Sequence, residues 1–204
     1  MRTTYPGRVP RTSDSRVRMI RTAARLFRAQ GYAATGWRQV VTESEAPWGS
    51  QAHHFPGGKE QLGVEALGWA AAGFERAIRS VFDGAHPADA VQRWTTAAAA
   101  ELASSGWRDG CPVATVTLET AHTSDALGAA CATALDGWRT ALSEALTARG
   151  LAQPAARSLA TLVLAGIEGA LVLARAERSG EPLETVGREL AALLRDRIPA
   201  EGGS

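Results

Sequence analysis

The sequence predicts an all-α protein with a three-helix N-terminal head and a larger helical body. Its composition favours helices, because alanine, leucine and arginine dominate the 204 residues. Apolar residues recur at i, i+3, i+4 and i+7 over long stretches, which is the spacing of one helix face. No run of Val, Ile or Thr alternates with polar residues as a half-buried strand does.

The head, residues 12–58, is predicted to contain three helices that follow a flexible arm. The arm, residues 1–11, is rich in proline and polar residues. The helices are predicted from a Ser13 or Asp14 cap to Gln30, from a Thr35 cap to about Ser44, and from Pro47 to about His54. A Pro-Gly-Gly turn then leads into the body.

The body, residues 59–204, is predicted to begin with a long helix that ends near Asp83. Gly and Pro then delimit the remaining helices. These are predicted at about 88–104, 111–122, 125–149, 154–178 and 182–197.

The 154–178 helix is apolar on almost every side between Leu159 and Ala174. Such a helix must be covered on several faces, and a second subunit is the natural cover for one of them. A central core helix of a monomer is the alternative. The predicted dimer interface comprises Leu162, Gly166, Gly169, Ala170, Leu173, Leu190 and Leu194.

Charge divides the chain into a basic head and an acidic body, although the formal net charge is only +1. Residues 1–55 carry nine arginines against three acidic residues, a net +6, and the remainder carries −5. This division indicates a polyanion such as nucleic acid as the head's partner, although arginine-rich helices also occur as solvated faces. Arg8 and Arg11 of the arm could contact phosphates or a minor groove. The alternative is that the arm is disordered.

No enzyme class is indicated by the motifs of this chain. It contains no nucleophile elbow, P-loop, HExxH or dinucleotide-binding glycine motif, so we expect no enzyme and no cofactor. His53 and His54 suggest no metal site, because consecutive helical residues point ~100° apart. Of the two cysteines, Cys131 lies on an apolar stripe and fits a buried, inert thiol better than a redox sensor.

We expect a cytoplasmic protein without a membrane span. The N-terminus has no apolar h-region of a secretory signal. The apolar stretch from Leu159 to Ala174 is interrupted by Thr161 and Glu168 and is too short for a span.

Residues 35–54 have the lengths of a helix-turn-helix. Here the chain resembles the TetR family of transcriptional repressors, in one register without gaps. The matching residues are Met19-Ile20, Ala23, Phe27, Gly31-Tyr32, Thr35, Val40, Gly49-Ser50, His53-His54-Phe55 and Lys59-Glu60-Gln61-Leu62. The resemblance to the LmrA/YxaF branch rests on Ala46-Pro47, Pro56-Gly57-Gly58, Gly110-Cys111-Pro112-Val113 and Glu119.

The chain departs from the family pattern at three positions of the head. Glu45 stands where the family usually has glycine, in the turn between the second and third helices. Ala52 stands where the family usually has tyrosine, and the absence of that tyrosine would remove a phosphate contact. Gln51 replaces a residue that is usually apolar in the family.

The resemblance and the helix-turn-helix geometry together assign DNA-binding roles. Trp48, Gly49, Ser50 and Gln51 would lie at the groove-facing start of the third helix, although packing is the alternative for Trp48. Phosphate contacts are expected from Thr35, Arg38, His53 and Lys59. His54 fits a satisfied, half-buried histidine better.

The resemblance also implies an apolar ligand pocket in the body. The candidate lining residues are Trp69, Phe74, Trp94, Trp107, Leu118, His122 and Trp138. Several tryptophans in one body favour a planar aromatic or drug-like inducer.

The sequence therefore predicts a homodimeric, ligand-responsive regulator, typically a repressor. It would release a pseudo-palindromic double-stranded DNA operator when a small apolar or aromatic molecule binds the body. The alternative is a dimeric small-molecule-binding protein whose DNA head is degenerate.

Overall fold

The computed structural model describes residues 12–198, with side chains from Asp14 onward, and this range contains nine α-helices. Their bounds are α1 Thr12–Gln30, α2 Trp37–Glu43, α3 Ser50–His54, α4 Gly58–Phe82, α5 Pro87–Ser104, α6 Pro112–Thr120, α7 Asp125–Thr147, α8 Gln153–Glu177 and α9 Glu181–Arg197. Within that range there is no strand, which confirms the all-α prediction. The predicted arm, residues 1–11, lies outside the described residues.

The helices of the body agree with the sequence prediction to within two residues, but two predictions in the head are wrong. Thr35 does not cap α2; Gly36 is the N-cap residue, and the buried Thr35 hydroxyl donates to the Gly31 carbonyl oxygen at 2.7 Å. Nor does α3 begin at Pro47. Gly49 has a φ of +91°, which a right-handed helix cannot contain, so α3 begins only at Ser50.

The core of the body is built by pairs of long helices. α4 packs on α7, α7 packs on α8, and α9 lies between α5 and α8. Trp138 of α7 is fully buried, and its indole Nε1 donates to the Ala71 carbonyl oxygen of α4 at 2.9 Å. A buried indole that keeps a hydrogen-bond partner stabilises the α4–α7 pair without an unsatisfied donor.

The head packs around α1, which contacts α2, α3 and α4 as well as α6 of the body. Met19 and Phe27 of α1 are fully buried, and Phe55 after α3 is buried with them. Arg18 reaches from α1 to the end of α2, where it donates to the carbonyl oxygens of Ser44 and Glu45 at 2.8 and 3.0 Å. This cation satisfies carbonyl groups that the end of a helix leaves free.

One described helix, α8, is long and apolar enough to cross a membrane by length and composition, with a mean hydropathy of 1.7. This differs from the expectation that the apolar stretch from Leu159 to Ala174 is too short for a span. About a third (33%) of that window is buried within the protomer. A core helix of a soluble protein meets the same criterion, so this helix alone is weak evidence for a membrane span.

Candidate DNA interface and body cleft

The turn before α3 projects a large apolar side chain into solvent. Trp48 is 70% exposed, and Gly49 beside it adopts a left-handed φ of +91° that favours glycine. The hydroxyl of Ser50 donates to the Pro47 carbonyl oxygen at 2.6 Å. We call Trp48, Gly49 and Ser50 the tip; it lies at the N-terminal end of α3, the part of a recognition helix that approaches base edges.

The rest of α3 is held more loosely than the neighbouring helices. None of its five residues is buried, and Ala52 and His53 are exposed. Gln51 is half-buried, and its Oε1 has no hydrogen-bond partner among the described residues. A buried acceptor without a partner is unfavourable.

The residues predicted to contact phosphates differ in their exposure. Arg38 is exposed on α2, close in sequence to the tip, and His53 is exposed on α3. Lys59 is half-buried: its Nζ lies 4.2 Å from the centroid of the Tyr32 ring and 3.4 Å from the Ala33 carbonyl oxygen. Burial lowers the pKa of Lys59, against the charge of Glu119, which raises it. The prediction for the Thr35 side chain is wrong, because its hydroxyl is buried and already bonded.

His54 is the satisfied histidine that the sequence suggested. Its Nε2 lies 2.9 Å from the hydroxyl of Ser15 on α1. Burial, with the charges of His53 and Arg16, lowers its pKa below the ordinary value, which favours the neutral form. Within residues 12–198 no group of three or more His, Cys, Asp or Glu side chains is arranged to hold a metal ion.

Glu45 adopts a backbone conformation that favours glycine, with a φ of +52°. This is the turn position where the sequence departs from the usual glycine of the family. A side chain in the left-handed region is strained by its Cβ, so Glu45 carries a local cost that glycine would avoid.

The candidate ligand residues do not form one pocket. Phe74, Trp94 and Trp138 form an aromatic cluster. The centroid of the Phe74 ring lies 5.4 Å from that of Trp94 and 4.5 Å from that of Trp138. Trp69 lies elsewhere, 45% exposed and beneath the Arg21 guanidinium at 5.9 Å. Leu118 and His122 are exposed, so their prediction as lining of an enclosed pocket is wrong.

The seventh candidate, Trp107, is half-buried against the core, in the loop after α5. Its φ is +64°, so it holds a strained backbone position. Trp107 does not line the cleft between α4 and α7.

A cleft of about 470 Å³ lies between α4 and α7, beside the aromatic cluster. Small residues form most of its walls, and the buried Trp138 ring and the Glu75 carboxylate complete them. Its lining is Val64, Gly68, Ala71, Ala72, Glu75, Ala130, Thr133, Ala134, Gly137 and Trp138. Sequence reasoning found only Trp138, because alanine and glycine on a helix give no signal of a cleft.

An apolar stripe of α8 faces solvent in the single protomer. Leu162 and Leu173 are 49% and 52% exposed, and Gly169 is exposed between them. Val172 on the same face is exposed too, although the sequence analysis did not select it. Ala170, Leu190 and Leu194 are buried within the protomer, so their prediction as interface residues is wrong.

Gly166 also faces inward. An added Cβ there would lie 3.4 Å from the side chains of Leu190 and Val186. This glycine therefore serves the packing of α8 on α9, which brings the two helices close together.

Both cysteines are buried thiols, as the sequence predicts for Cys131. Burial raises the pKa of Cys131, against a hydrogen bond with Thr117. Burial and the neighbouring Glu168 carboxylate raise the pKa of Cys111 as well. Neither thiol has the lowered pKa that a reactive cysteine needs.

A three-helix head with an exposed tip, on a larger helical body with a cleft, has the architecture of a helix-turn-helix DNA-binding protein. Solved structures share this fold. A TetR regulatory protein from Rhodobacter sphaeroides aligns with a TM-score of 0.77 at 24% identity, covering 87% of this chain and 97% of that one. A TetR regulator from Legionella pneumophila aligns with a TM-score of 0.75 at 19% identity, covering 94% and 100%.

Sequence comparison gives the particular branch. Residues 87–189 match the family of LmrA/YxaF-like transcriptional regulators, C-terminal domain. The transcriptional regulators YxaF and LmrA of Bacillus subtilis are 34% and 33% identical to this chain, covering 90% and 89% of it and 97% of each relative. The chain belongs to the LmrA/YxaF-like branch of the TetR family of helix-turn-helix transcriptional regulators.

Proposed function

We propose that this protein is a homodimeric, cytoplasmic repressor that binds a pseudo-palindromic operator with one head per half-site. A small apolar or aromatic molecule in the body releases the operator. The observation that carries the proposal is the tip, where Trp48 lies 70% exposed beside Gly49 and Ser50 on a head whose other large apolar residues are mostly buried. An exposed indole at the start of a recognition helix suits contact with thymine methyl groups in the major groove.

Arg38 of α2 and His53 of α3 are exposed polar side chains of the helix-turn-helix. They suit phosphate contacts, which hold a head in register without reading sequence. Lys59 adds positive charge at the start of α4, although its contact with the Tyr32 ring limits its reach.

The exposed apolar stripe of α8 supports the dimer. Leu162, Val172 and Leu173 are large apolar side chains that are about half exposed on one helix, and exposed apolar surface of this kind is typical of an interface. A second copy of α8 covers this stripe and places the two heads side by side. Two heads in one dimer match the two-fold symmetry of a pseudo-palindrome.

The α4–α7 cleft supports a planar ligand. Its narrow alanine and glycine walls suit a planar apolar molecule, and Glu75 suits a donor group on that molecule. Because α4 also leads directly into the head, a ligand that separates α4 from α7 favours a different head position.

A fluorescence anisotropy titration tests the DNA-binding part. The full-length protein is titrated on its own upstream intergenic duplex and on a scrambled duplex, at about physiological salt, where non-specific contacts are weak. We expect tight binding to the native duplex alone, and its loss in Trp48→Ala/Ser50→Ala. Arg38→Ala weakens both duplexes alike and reduces the salt slope by about 1. Arg76→Ala, on the exposed side of α4, removes the same charge outside the head and leaves binding unchanged.

Equal, weak binding to both duplexes, with no sequence recovered from a selection on genomic fragments, contradicts the repressor. The degenerate-head alternative then stands, favoured by Ala52, the strained Glu45 and the unsatisfied Gln51.

A displacement screen tests the cleft. A panel of planar aromatic compounds is added to the protein–operator complex, and release of the labelled duplex is followed. Gly68→Leu fills open space in the cleft wall and should abolish the response, whereas Gly73→Leu, on the same helix outside the cleft, should preserve it. An equal response of both variants contradicts this ligand site.

A further inference from the structure

The last turn of α1 is bound to the body by a reciprocal pair of hydrogen bonds. The Gly110 backbone N–H donates to the Arg28 carbonyl oxygen at 2.9 Å. In return, the Arg28 Nε donates to the Gly110 carbonyl oxygen at 3.1 Å. Arg28 belongs to the head, and Gly110 lies just before α6 of the body.

Arg28 is fixed further by two carboxylates of the body. Its Nη1 pairs with Glu101 of α5 at 2.8 Å, and its Nε lies 3.7 Å from Asp109. Burial acts to lower the pKa of Arg28, but the hydrogen bond and charge of Glu101 and the charge of Asp109 outweigh it. A guanidinium with several acceptors in fixed directions holds its helix in one orientation.

A second arginine, from α8, binds the next carbonyl group of α1. The Arg175 Nη2 donates to the Ala29 oxygen at 3.2 Å. The carbonyl groups of a last helical turn have no partner inside the helix, and cations are favoured there. The body therefore supplies the groups that complete the end of the head's first helix.

Glu119 of α6 binds the turn that follows α1. Its Oε2 accepts the Ala33 backbone N–H at 2.8 Å. Gly31 lies so close to this carboxylate that a Cβ there would collide with it, and its φ of +87° also favours glycine. We call this set of residues the latch: Arg28, Gly110, Glu119 and Arg175.

We propose that the latch fixes the orientation of each head on the body, and thereby sets the half-site spacing that the dimer accepts. This inference rests on the proposed function, because it requires two heads on one operator. Apart from the latch, the head is joined to the body by the chain at Gly57 and by the packing of α1 on α4, where Arg16 pairs with Glu65 at 2.6 Å. The latch adds a second attachment at the far end of α1.

Small rotations of a head matter on DNA. Adding one base pair between half-sites moves the second one ~3.4 Å along the helix and ~35° around it. A head held at two places cannot follow such a change, whereas a head held only by α4 has more freedom. Binding of the second half-site is intramolecular, so a wrong spacing removes the avidity that the dimer gains.

Operator duplexes that differ only in half-site spacing test this inference. The full-length wild type, Arg28→Ala/Arg175→Ala and Glu119→Ala are titrated on duplexes whose half-site separation changes by one base pair at a time. Glu119→Gln is the matched control, because its carboxamide oxygen can still accept from Ala33. Arg79→Ala breaks ion pairs with Glu75 and Glu144 inside the body, away from the latch.

The wild type, Glu119→Gln and Arg79→Ala should lose at least about tenfold in affinity when the spacing changes by one base pair. The double variant and Glu119→Ala should bind neighbouring spacings within about threefold of one another. The effect of a mutated half-site base should stay the same in all variants, since the tip is untouched. A latch variant with the wild-type spacing profile overturns the inference.

Dipolar spectroscopy provides a readout that needs no operator. Thr42 of α2 is exposed, so Thr42→Cys can carry a spin label, and both native cysteines are buried. The distance distribution between the two heads of a dimer should broaden in the latch variants and keep its width in the controls; equal widths contradict the latch.

If the wild type shows no specific binding to any duplex, the proposed function fails instead. Circular dichroism and thermal unfolding check each variant, and the Glu119→Ala and Glu119→Gln pair still decides if the double variant unfolds.

Discussion

Two helices of the head, α1 and α3, differ in how they are held. α1 buries Met19, Ala23 and Phe27 completely, and its end is bound to the body. α3 has five residues and buries none of them. The difference shows that the helix proposed to enter the groove contributes little to the core, so its surface remains free for DNA.

The position of α3 therefore depends on its neighbours. Phe55, directly after α3, is buried and lies 5.8 Å from the Trp37 ring of α2. At the same end, the Arg16 guanidinium lies 5.5 Å from the Phe55 ring. Ser15 and His54 add a hydrogen bond between α1 and α3. A short helix is marginal alone, so these contacts determine where the tip points.

Removing a core side chain of α1 should have the largest effect on stability. Phe27→Ala leaves a cavity beside Tyr32 and should lower the free energy of unfolding by about 3–5 kcal/mol. Ala52→Gly in α3 changes only backbone freedom and should cost about 1 kcal/mol or less. Denaturant unfolding of both variants measures the contrast. Similar losses in the two would show that α3 is as integral to the core as α1.

The tip should show the opposite behaviour, with a large effect on DNA binding and almost none on stability. Trp48→Ala removes an exposed side chain, so the unfolding free energy should change by less than about 0.5 kcal/mol. Affinity for the native operator should fall about tenfold, or ~1.4 kcal/mol. Anisotropy and thermal unfolding of the same preparation measure the two quantities.

Uracil substitution identifies what Trp48 contacts. Replacing operator thymines by uracil removes only the 5-methyl group, worth about 0.8 kcal/mol if it is buried. Wild-type affinity should fall at one thymine per half-site, and Trp48→Ala should be insensitive to the same change. Equal sensitivity of both proteins would place the indole away from the thymine methyl groups.

Relief of the strained turn should stabilise the head modestly. Glu45→Gly places glycine at a φ of +52° and should raise the unfolding free energy by about 1 kcal/mol. Glu45→Ala is the control, because its Cβ retains the strain. The thermal midpoints of the two variants should therefore separate, and coincident midpoints would mean that the turn carries no such cost.

A buried carboxylate of the body, Glu168, should make a pH-dependent contribution to the free energy of unfolding. Burial raises the pKa of Glu168 above its ordinary 4.5, against a hydrogen bond with Cys111, and Oε2 has no partner among the described residues. Protonation of Glu168 is therefore more favourable in the native state than in the unfolded state. Its contribution to stability is complete below the unfolded pKa and is lost as pH rises through the raised folded pKa.

Glu168→Gln removes this dependence. The variant should be more stable than the wild type at about pH 8, and the gap should close at about pH 4. Thermal unfolding across this range measures it. A gap that widens toward acid pH would mean that the carboxylate is stabilised rather than penalised.

Much of this architecture could be predicted because long amphipathic helices have a clear periodicity. Leu127, Cys131 and Trp138 of α7 all occupy the predicted apolar face and are buried. The head was less predictable at its turns. Thr35 looks like a helix cap in sequence, but its hydroxyl turns inward to Gly31, and only the φ of Gly49 fixes where α3 begins.

The body sites could be predicted only in part. Aromatic and large apolar residues were the sequence signal for a pocket. Of these, Leu118 is exposed, and the cleft is walled mainly by alanine and glycine. Ala170 and Leu173 both lie on the apolar α8, but the orientation of the helix buries one and exposes the other. Arg28 and Gly110 are distant in sequence, so only the fold brings the latch together. The branch resemblance at Gly110 and Glu119 was the sequence signal available for it.

Methylation interference on the protein–operator complex tests the central claim most directly. Methylation of guanine N7 blocks the major groove, whereas methylation of adenine N3 blocks the minor groove. We predict interference at guanine N7 in two clusters, related by two-fold symmetry and about one helical turn apart. Interference confined to adenine N3, or one cluster alone, would contradict a dimer that inserts the Trp48–Ser50 tip into successive major grooves.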